Sequence, residues 1–142
     1  MTQAASVLGL DIGTKRIGIA RALWPDGMPS ALTTLPNDED FMFELEKIIK
    51  DENTVLIVAG KPRGLSGQET EQTTYCIDFA DQVRNETQLP VYLEDEAATS
   101  IAAETELKNK GTAYTKEEVD SLSAVFILEN FIAAHPKGAG LE

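Results

Sequence analysis

Cysteine, histidine and long apolar segments are scarce in this chain of 142 residues, which has one cysteine and one histidine. Cys76 cannot form a disulfide within the chain, and its place between Tyr75 and Phe79 in a helical pattern predicts a packed thiol. His135 follows the last predicted helix beside Pro136, so we expect a tail residue there and no general base. Neither residue is predicted to act in catalysis.

The sequence also lacks any segment suited to a membrane or to export. Its longest apolar runs, such as Ala124 to Leu128, have five residues and are far too short to cross a bilayer. No charged leader followed by an apolar core and a cleavage site opens the sequence. We therefore predict a cytoplasmic protein with no membrane partner.

The chain is long enough for one packed core and too short for two lobes, with 142 residues and 42% hydrophobic content. No linker, internal repeat or low-complexity stretch divides it. We assign residues 1–137 to a single domain and expect residues 138–142 to form a disordered tail.

Basic residues are few, and 12 of them against 24 acids give a net charge of −12. This sign opposes nonspecific attraction to nucleic acid. The acids concentrate in segments 38–52 and 69–86, which have the pattern of solvated helix faces. Two loops that follow strands contain the bases Lys15, Arg16, Lys61 and Arg63. We predict a small basic rim on an acidic body, with weak and salt-sensitive binding.

Hydrophobic periodicity predicts the element order β-β-β-α-β-α-β-α-α. The strands are expected at 6–11, 17–23, 31–35, 54–60 and 90–94. The first helix is predicted to have Asn37 as its N-cap and to end near Lys50, and the others to span 68–86, 98–107 and 115–133. Helical crossovers make the first, fourth and fifth strands parallel neighbours. The predicted fold is α/β: a five-stranded mixed sheet, with a three-strand antiparallel meander plus two parallel strands and helices on both faces.

The segment LDIGTKRIGIA, residues 10–20, has the strongest functional signal. Asp11 ends an apolar strand and is followed by a glycine turn with two basic side chains. An acid at this position can hold a divalent cation. The turn offers amides, a hydroxyl and cationic groups to a phosphate through Gly13, Thr14, Lys15 and Arg16. The simpler alternative is a turn-forming aspartate that only caps the loop.

Three acids, Glu94, Asp95 and Glu96, lie together at the end of the fifth predicted strand. Their charges repel one another unless a cation or a basic group neutralises them. Capping of the next helix explains one of them. Three acids at this end of the sheet are more than a cap requires.

Asp120 begins an otherwise apolar helical stripe that continues through Ala124, Ile127 and Phe131. An acid that faces the sheet has a desolvation cost unless it is hydrogen-bonded, paired or bound to metal. The alternative is that Asp120 still reaches solvent, near the positive end of the helix.

The carboxyl ends of parallel strands meet at one edge of a sheet, so Asp11, Asp120 and either Glu96 or Asp95 are expected to converge. Such a set suits metal-assisted phosphoryl transfer, in which two Mg²⁺ or Mn²⁺ ions about 3.5–4 Å apart are held by carboxylates. The basic side chains of the two loops could then hold the flanking nucleic-acid backbone.

Four segments in order resemble the YqgF/RuvX family, whose fold is RNase H-like. They are LGLDIGTKRIGIA, VAGKPRGLSG, YLEDEAATS and VDSLSAVFILENFI, and together they span nearly the whole chain. The resemblance implies a metal-dependent endonuclease that matures the 5′ end of pre-16S ribosomal RNA. A Holliday junction resolvase acting on branched DNA is the alternative within the family.

The resemblance also implies roles for single residues. Asp11, Glu96 and Asp120 match the catalytic acids, and the metal ligands are Asp11, Asp95, Glu96 and Asp120, with Mg²⁺ or Mn²⁺ as cofactor. Substrate contacts fall on Gly13, Thr14, Lys15, Arg16, Lys61, Arg63 and Thr99. The implied partners are structured RNA or branched DNA, together with ribosomal or processing proteins. A resolvase would need a homodimer, whereas an RNA-trimming enzyme could act as a monomer.

One departure from the family affects phosphate binding. Ala97 stands where the family has an arginine, and it removes a bidentate phosphate contact. Lys61 and Arg63, on either side of Pro62, are the candidate replacements.

Two other readings stay open at this point. An Asp-x-Gly-Thr turn also resembles the phosphate loop of actin-like ATPases, but those proteins clamp nucleotide between two lobes. The acidic charge together with Ala97 suits a catalytically weak scaffold that binds nucleic acid or protein.

Overall fold

The computed structural model describes residues 4–25, 27–62, 68–96, 99–111 and 113–135. The elements are β1 (Ser6–Ile12), β2 (Arg16–Leu23), β3 (Ser30–Pro36), α1 (Phe41–Glu52), β4 (Thr54–Pro62), α2 (Glu71–Thr87), β5 (Val91–Glu96), α3 (Thr99–Asn109) and α4 (Lys116–Ala134). This is the predicted order of elements. None of the described helices combines the length and apolar character that crossing a membrane requires.

The five strands form one sheet in the order β3-β2-β1-β4-β5. β2 pairs antiparallel with both β1 and β3, whereas β4 pairs parallel with both β1 and β5. The short turn after β1 makes the meander, and α1 and α2 are the crossovers that keep the other strands parallel. The predicted α/β fold is confirmed, with the meander at one edge.

Helices cover both faces of the sheet. On one face, α1 and α2 pack against Leu8, Leu10, Ile12, Ile17, Ile19 and Ile57. On the other face, α4 packs against Val7, Ala20, Ala22 and Val58, and α3 packs on α4. Successive residues of β1 alternate between these two cores because a strand has a period of two. We call the second side the α4 face.

α4 begins with the predicted capping box, in which Thr115 and Glu118 satisfy each other's backbone N–H groups. Its stripe of Ala124, Ile127 and Phe131 is fully buried, as predicted. A Cβ atom added at Gly18 would lie 2.0 Å from the backbone oxygen of Asp120. A glycine at this position therefore lets the start of α4 lie directly on the sheet.

Asn37 is not the N-cap of α1, and that prediction is wrong. The helix begins after Asp40, whose side chain makes no capping hydrogen bond. The amide group of Asn37 instead donates to the Gly13 oxygen and to the Tyr75 hydroxyl, at 2.8 Å each. Asparagine suits both helix capping and tertiary hydrogen bonding, and in this structure its amide group donates to the turn after β1 and to α2.

His135 follows α4, as predicted, but its ring is packed. It stacks on Phe131 with 4.5 Å between ring centroids and meets Tyr92 at 5.0 Å. Cys76 is buried, which confirms the packed thiol. The predicted tail, residues 138–142, lies outside the described residues.

Candidate active site

Asp11 and Asp120 lie on the same face of the sheet at the end of β1. Asp11 pairs across the ladder with Gly18, and the backbone of Asp120 lies directly over that glycine. Gly9, two residues before Asp11, faces Leu128 of α4, so the strand period also puts Asp11 on the α4 face. Both carboxylates are partly buried. Two acids from distant parts of the sequence thus reach one small region.

The strand period separates the acids of β5. Tyr92 lies on the α4 face, where its ring meets Phe131 at 5.0 Å, and Glu94 is two residues further along the strand. Asp95 is on the opposite face, where its Oδ1 atom lies 3.9 Å from the Nζ atom of Lys61. The structure therefore does not bring Asp95 to the side that holds Asp11. Its proposed role as a ligand has the least structural support.

Glu96 is described only through its backbone, which pairs with Pro62 of β4. Its side chain lies outside the described part of the structure, and so does that of Thr99 at the start of α3. Arg63 and Ala97 also lie outside the described residues. Their predicted roles stay predictions.

Glu94 is a candidate that the sequence interpretation left out of the site. Glu94 pairs with Gly60 of β4, and the preceding residue of β4, Ala59, pairs with Leu10 of β1. Glu94 therefore lies near the same end of the sheet as Asp11. Burial raises the pKa of Glu94, the charge of His135 opposes this, and the charge of Asp95 raises the pKa further. The alternation that puts Tyr92 on the α4 face is the signal that could have identified it.

Arg16 and Asp120 form an ion pair. The Arg16 Nε atom donates to the Oδ2 atom of Asp120 at 2.7 Å, and the two side chains are 31% and 19% exposed. The hydrogen bond to Asp120 and the charges of Asp120 and Glu117 raise the pKa of Arg16 despite some desolvation. A residue predicted to bind phosphate is thus joined to a predicted metal ligand.

Backbone hydrogen bonds within the turn and from Asn37 fix the turn between β1 and β2. The Gly13 N–H donates to the Arg16 oxygen at 2.9 Å, and a Cβ on Gly13 would meet that oxygen at 2.7 Å. The Lys15 oxygen accepts from the Asn37 backbone N–H at 2.9 Å. Thr14 and Lys15 are exposed at the tip of the turn. Their position leaves them open to a ligand in solution.

A divalent cation suits the chemistry of this region, because carboxylate oxygens are the donors that Mg²⁺ and Mn²⁺ prefer. Two partly buried acids on one face favour positive charge nearby, which Arg16 supplies to Asp120 in this structure. Within the described ranges, no group of three histidine, cysteine or acidic side chains is close enough to hold a metal. The site as described is therefore a pair of carboxylates that needs a further ligand.

Comparison with known proteins decides the family. The family described as "RuvX: Holliday junction resolvase" matches residues 5–134. The chain belongs to the RuvX family. A protein of Sulfurihydrogenibium sp. (strain YO3AOP1), named "Putative pre-16S rRNA nuclease", is 38% identical over 129 residues, which cover 89% of this chain and 88% of that protein. A protein of the same name from Maridesulfovibrio salexigens is 38% identical over 136 residues, covering 89% and 97%.

Solved structures show that the fold is shared with RuvC-like resolvases. RuvC of Thermus thermophilus has a TM-score of 0.54 at 11% identity and covers 91% of this chain and 96% of its own. The fowlpox virus Holliday junction resolvase has a TM-score of 0.53 at 14% identity, covering 91% and 98%. The RNase H-like fold is confirmed, and membership of the RuvX family confirms the prediction of a nuclease.

Proposed function

We propose that this RuvX-family nuclease is a metal-dependent endonuclease that trims the 5′ end of pre-16S rRNA. Asp11, Glu96 and Asp120 are its catalytic acids. The observation that carries the proposal is that Asp11 pairs with Gly18 while the backbone of Asp120 lies over that glycine, so both acids are on the α4 face at the end of β1. The names of the relatives from Sulfurihydrogenibium and Maridesulfovibrio support the choice of substrate.

The proposed metal ligands are Asp11, Asp95, Glu96 and Asp120, with Mg²⁺ or Mn²⁺ as the ion. When bound, such an ion would supply activation of the attacking water and stabilisation of the leaving oxygen of a phosphodiester. Asp11 and Asp120 supply oxygen donors from two elements that packing fixes relative to one another. Because Asp95 lies on the opposite face, we expect Asp95→Asn to reduce the affinity for the metal less than Asp11→Asn does.

Substrate contacts are proposed for two loops beside the acids. Gly13, Thr14 and Lys15 form the turn after β1, and Arg16 opens β2. Lys61 lies in β4 with its Nζ atom near Asp95, on the face opposite to Asp11, and Arg63 and Thr99 follow β4 and β5 in the sequence. Lys15 is exposed, and Lys61 lies at the end of β4 near Asp95 and Glu69. These cations suit a nucleic-acid backbone, which is read by shape rather than by base sequence. We place the reaction in the cytoplasm, with ribosomal or processing proteins as further partners.

Holliday junction resolution is the second candidate, because the matched family is described by that activity and the fold is that of RuvC. Symmetric cleavage of a four-way junction needs two active sites and hence a homodimer. Trimming of an RNA end needs one site only.

Cleavage of a pre-16S rRNA 5′ segment and of a four-way DNA junction, each with Mn²⁺ and with Mg²⁺, tests the proposal. The wild type is expected to cut the RNA, and Asp11→Asn to lose at least about a hundredfold in rate, as when one central electrostatic group is removed. Asp40→Asn is the matched control, since Asp40 is exposed at the start of α1 on the other face.

Calorimetric titration with Mn²⁺ completes this test. Binding by the wild type and by Asp40→Asn, together with its loss in Asp11→Asn, supports the metal site. Cleavage of the junction alone would replace the RNA proposal by the resolvase. Absence of both cleavage and Mn²⁺ binding would leave the non-catalytic scaffold, and ATP hydrolysis lost in Asp11→Asn would favour the actin-like alternative.

A further inference from the structure

The ion pair between Arg16 and Asp120 joins the two halves of the proposed site. Its Nε–Oδ2 distance of 2.7 Å is that of a charge-assisted hydrogen bond. Both partners are fixed by their elements, because Arg16 opens β2 and Asp120 lies in the second turn of α4. Arg16 is two residues before Gly18, so the strand period puts it on the α4 face with Asp11.

Electrostatics explains why a cation is needed here. Asp11 pairs with Gly18, and the backbone of Asp120 lies over the same glycine. Glu117 and Glu118 precede Asp120 by less than one turn of α4. Asp11 and Asp120 are partly buried and the two glutamates are exposed, and repulsion among these like charges disfavours the folded state. The guanidinium of Arg16 neutralises one of them in the protein without metal.

We infer that Arg16 is the counter-ion of Asp120 in the metal-free protein and competes with the metal ion for that carboxylate. The inference rests on the proposed function, because it requires Asp120 to be a metal ligand. With Asp120 bound to a divalent cation, repulsion between like charges disfavours a guanidinium at the same carboxylate. The released guanidinium has the planar donor geometry that binds phosphate oxygens in pairs.

This arrangement makes Arg16 a positioning residue in one state and a substrate contact in the other. Metal binding and exposure of the guanidinium are then coupled, and coupling is reciprocal by thermodynamic necessity. The phosphate-binding side chain is presented when the metal is in place. Nucleic acid is therefore bound most tightly by the form of the protein that can cleave it.

Mn²⁺ titration of Arg16→Gln tests the competition directly. Removing the competitor is expected to tighten Mn²⁺ binding roughly tenfold, within the usual range of coupling between sites. The variant is expected to melt below the wild type in EDTA and to gain more in Tm from saturating Mn²⁺. Arg16→Lys, which keeps the positive charge, is expected to bind Mn²⁺ nearly as the wild type does.

Arg21→Gln is the matched control at the other part of the same strand. Arg21 donates through Nε to Glu52, and the side chains of that pair are 32% and 24% exposed, close to the values for Arg16 and Asp120. Its loss is expected to lower Tm in EDTA and in Mn²⁺ alike, with no change in Mn²⁺ affinity. A merely structural role for Arg16 predicts the same behaviour for Arg16→Gln.

Several outcomes overturn the inference. Equal or weaker Mn²⁺ binding by Arg16→Gln would show that Arg16 does not compete with the metal. If Asp11→Asn loses Mn²⁺ binding while Arg16→Gln binds as the wild type does, the proposed function stands and the competition falls. If the wild type binds no Mn²⁺, both the proposed function and the competition are wrong.

Cleavage kinetics at saturating Mn²⁺ test the phosphate contact. Arg16→Gln is expected to raise KM more than it lowers kcat, and an unchanged KM contradicts the contact.

Discussion

At the residue scale, Asn37 ties the turn after β1 to α2. Its side-chain amide donates to the Gly13 oxygen and to the Tyr75 hydroxyl, and its backbone N–H donates to the Lys15 oxygen. The turn carries the exposed Thr14 and Lys15, so the position of these proposed substrate contacts depends on a residue that is not itself a proposed contact. Preorganisation of this kind requires such supporting bonds.

Replacing Asn37 by alanine is expected to destabilise the protein by about 1–3 kcal/mol, because the Gly13 oxygen and the Tyr75 hydroxyl lose a partner in a partly buried region. Urea unfolding measures the loss. Asn85→Ala, at an exposed position of α2, serves as the control and is expected to change stability by less than about 0.5 kcal/mol. Equal stability of the two variants would contradict a supporting role for Asn37.

The sequence predicts the places of single residues in this site better than it predicts which residues form pairs. The places of Asp11 near the end of β1 and of Asp120 at the start of the buried stripe of α4 could be predicted, because each acid interrupts an apolar pattern. The pairing of Arg16 with Asp120 could not be predicted from the sequence, because the two residues are 104 positions apart. An arginine in a glycine-containing turn also suits phosphate binding. Asn37 was misassigned because capping and tertiary hydrogen bonding use the same amide group.

At the element scale, α4 is the helix that completes the site, and two glycines determine how closely it approaches the sheet. At Gly9 an added Cβ would meet the Leu128 Cγ atom at 2.6 Å, and at Gly18 it would meet the Asp120 backbone oxygen at 2.0 Å. Periodicity predicted α4 and its capping box, because both are local. The closeness of its approach depends on contacts between distant segments, which no local pattern encodes.

Gly18→Ala is expected to destabilise the fold by about 3 kcal/mol, at the upper end of the usual cost of overpacking, because backbone atoms of α4 must move. Gly9→Ala is the comparison, and we expect a smaller loss because its closest α4 backbone atom, the Ala124 oxygen, would lie 2.9 Å from the new Cβ, against 2.0 Å at Gly18. Chemical denaturation ranks the two variants. Mn²⁺ titration should then show weaker binding in Gly18→Ala only, because it displaces Asp120.

A reversed ranking of stability would contradict this account of how α4 is seated. So would unchanged Mn²⁺ affinity in a folded Gly18→Ala protein, because Asp120 would then hold its position without the close approach at Gly18.

At the scale of the whole molecule, the strand order follows from few rules. Short turns make antiparallel neighbours and helical crossovers make parallel ones, so β3-β2-β1-β4-β5 could be predicted once the elements were recognised. The face on which each acid of β5 lies depends on the register of that strand, and the sequence interpretation did not use the register. That is why Asp95 was grouped with Asp11 and Glu94 was left out.

The net charge of −12 predicts how the whole molecule meets RNA. We expect no long-range attraction, so under the proposed function binding depends on a few contacts, for which Lys15, Arg16, Lys61 and Arg63 are the candidates. About three to four phosphate contacts give a slope of roughly −2 to −3 in log affinity against log salt, which is a loss of about 20- to 50-fold between 50 and 200 mM. Fluorescence anisotropy of the wild type at saturating Mn²⁺, with a non-hydrolysable RNA analogue, measures this slope.

Lys15→Gln should reduce that slope by about 0.7, the value of one contact with single-stranded nucleic acid. Lys47→Gln is the matched control, because Lys47 is exposed on α1 beside Glu44 and Phe43. It lies on the face of the sheet opposite to the proposed catalytic acids. An unchanged slope in Lys15→Gln would remove the β1 turn from the interface. A slope twice as steep in the wild type would mean that basic residues outside these loops also bind, since three or four contacts cannot produce it.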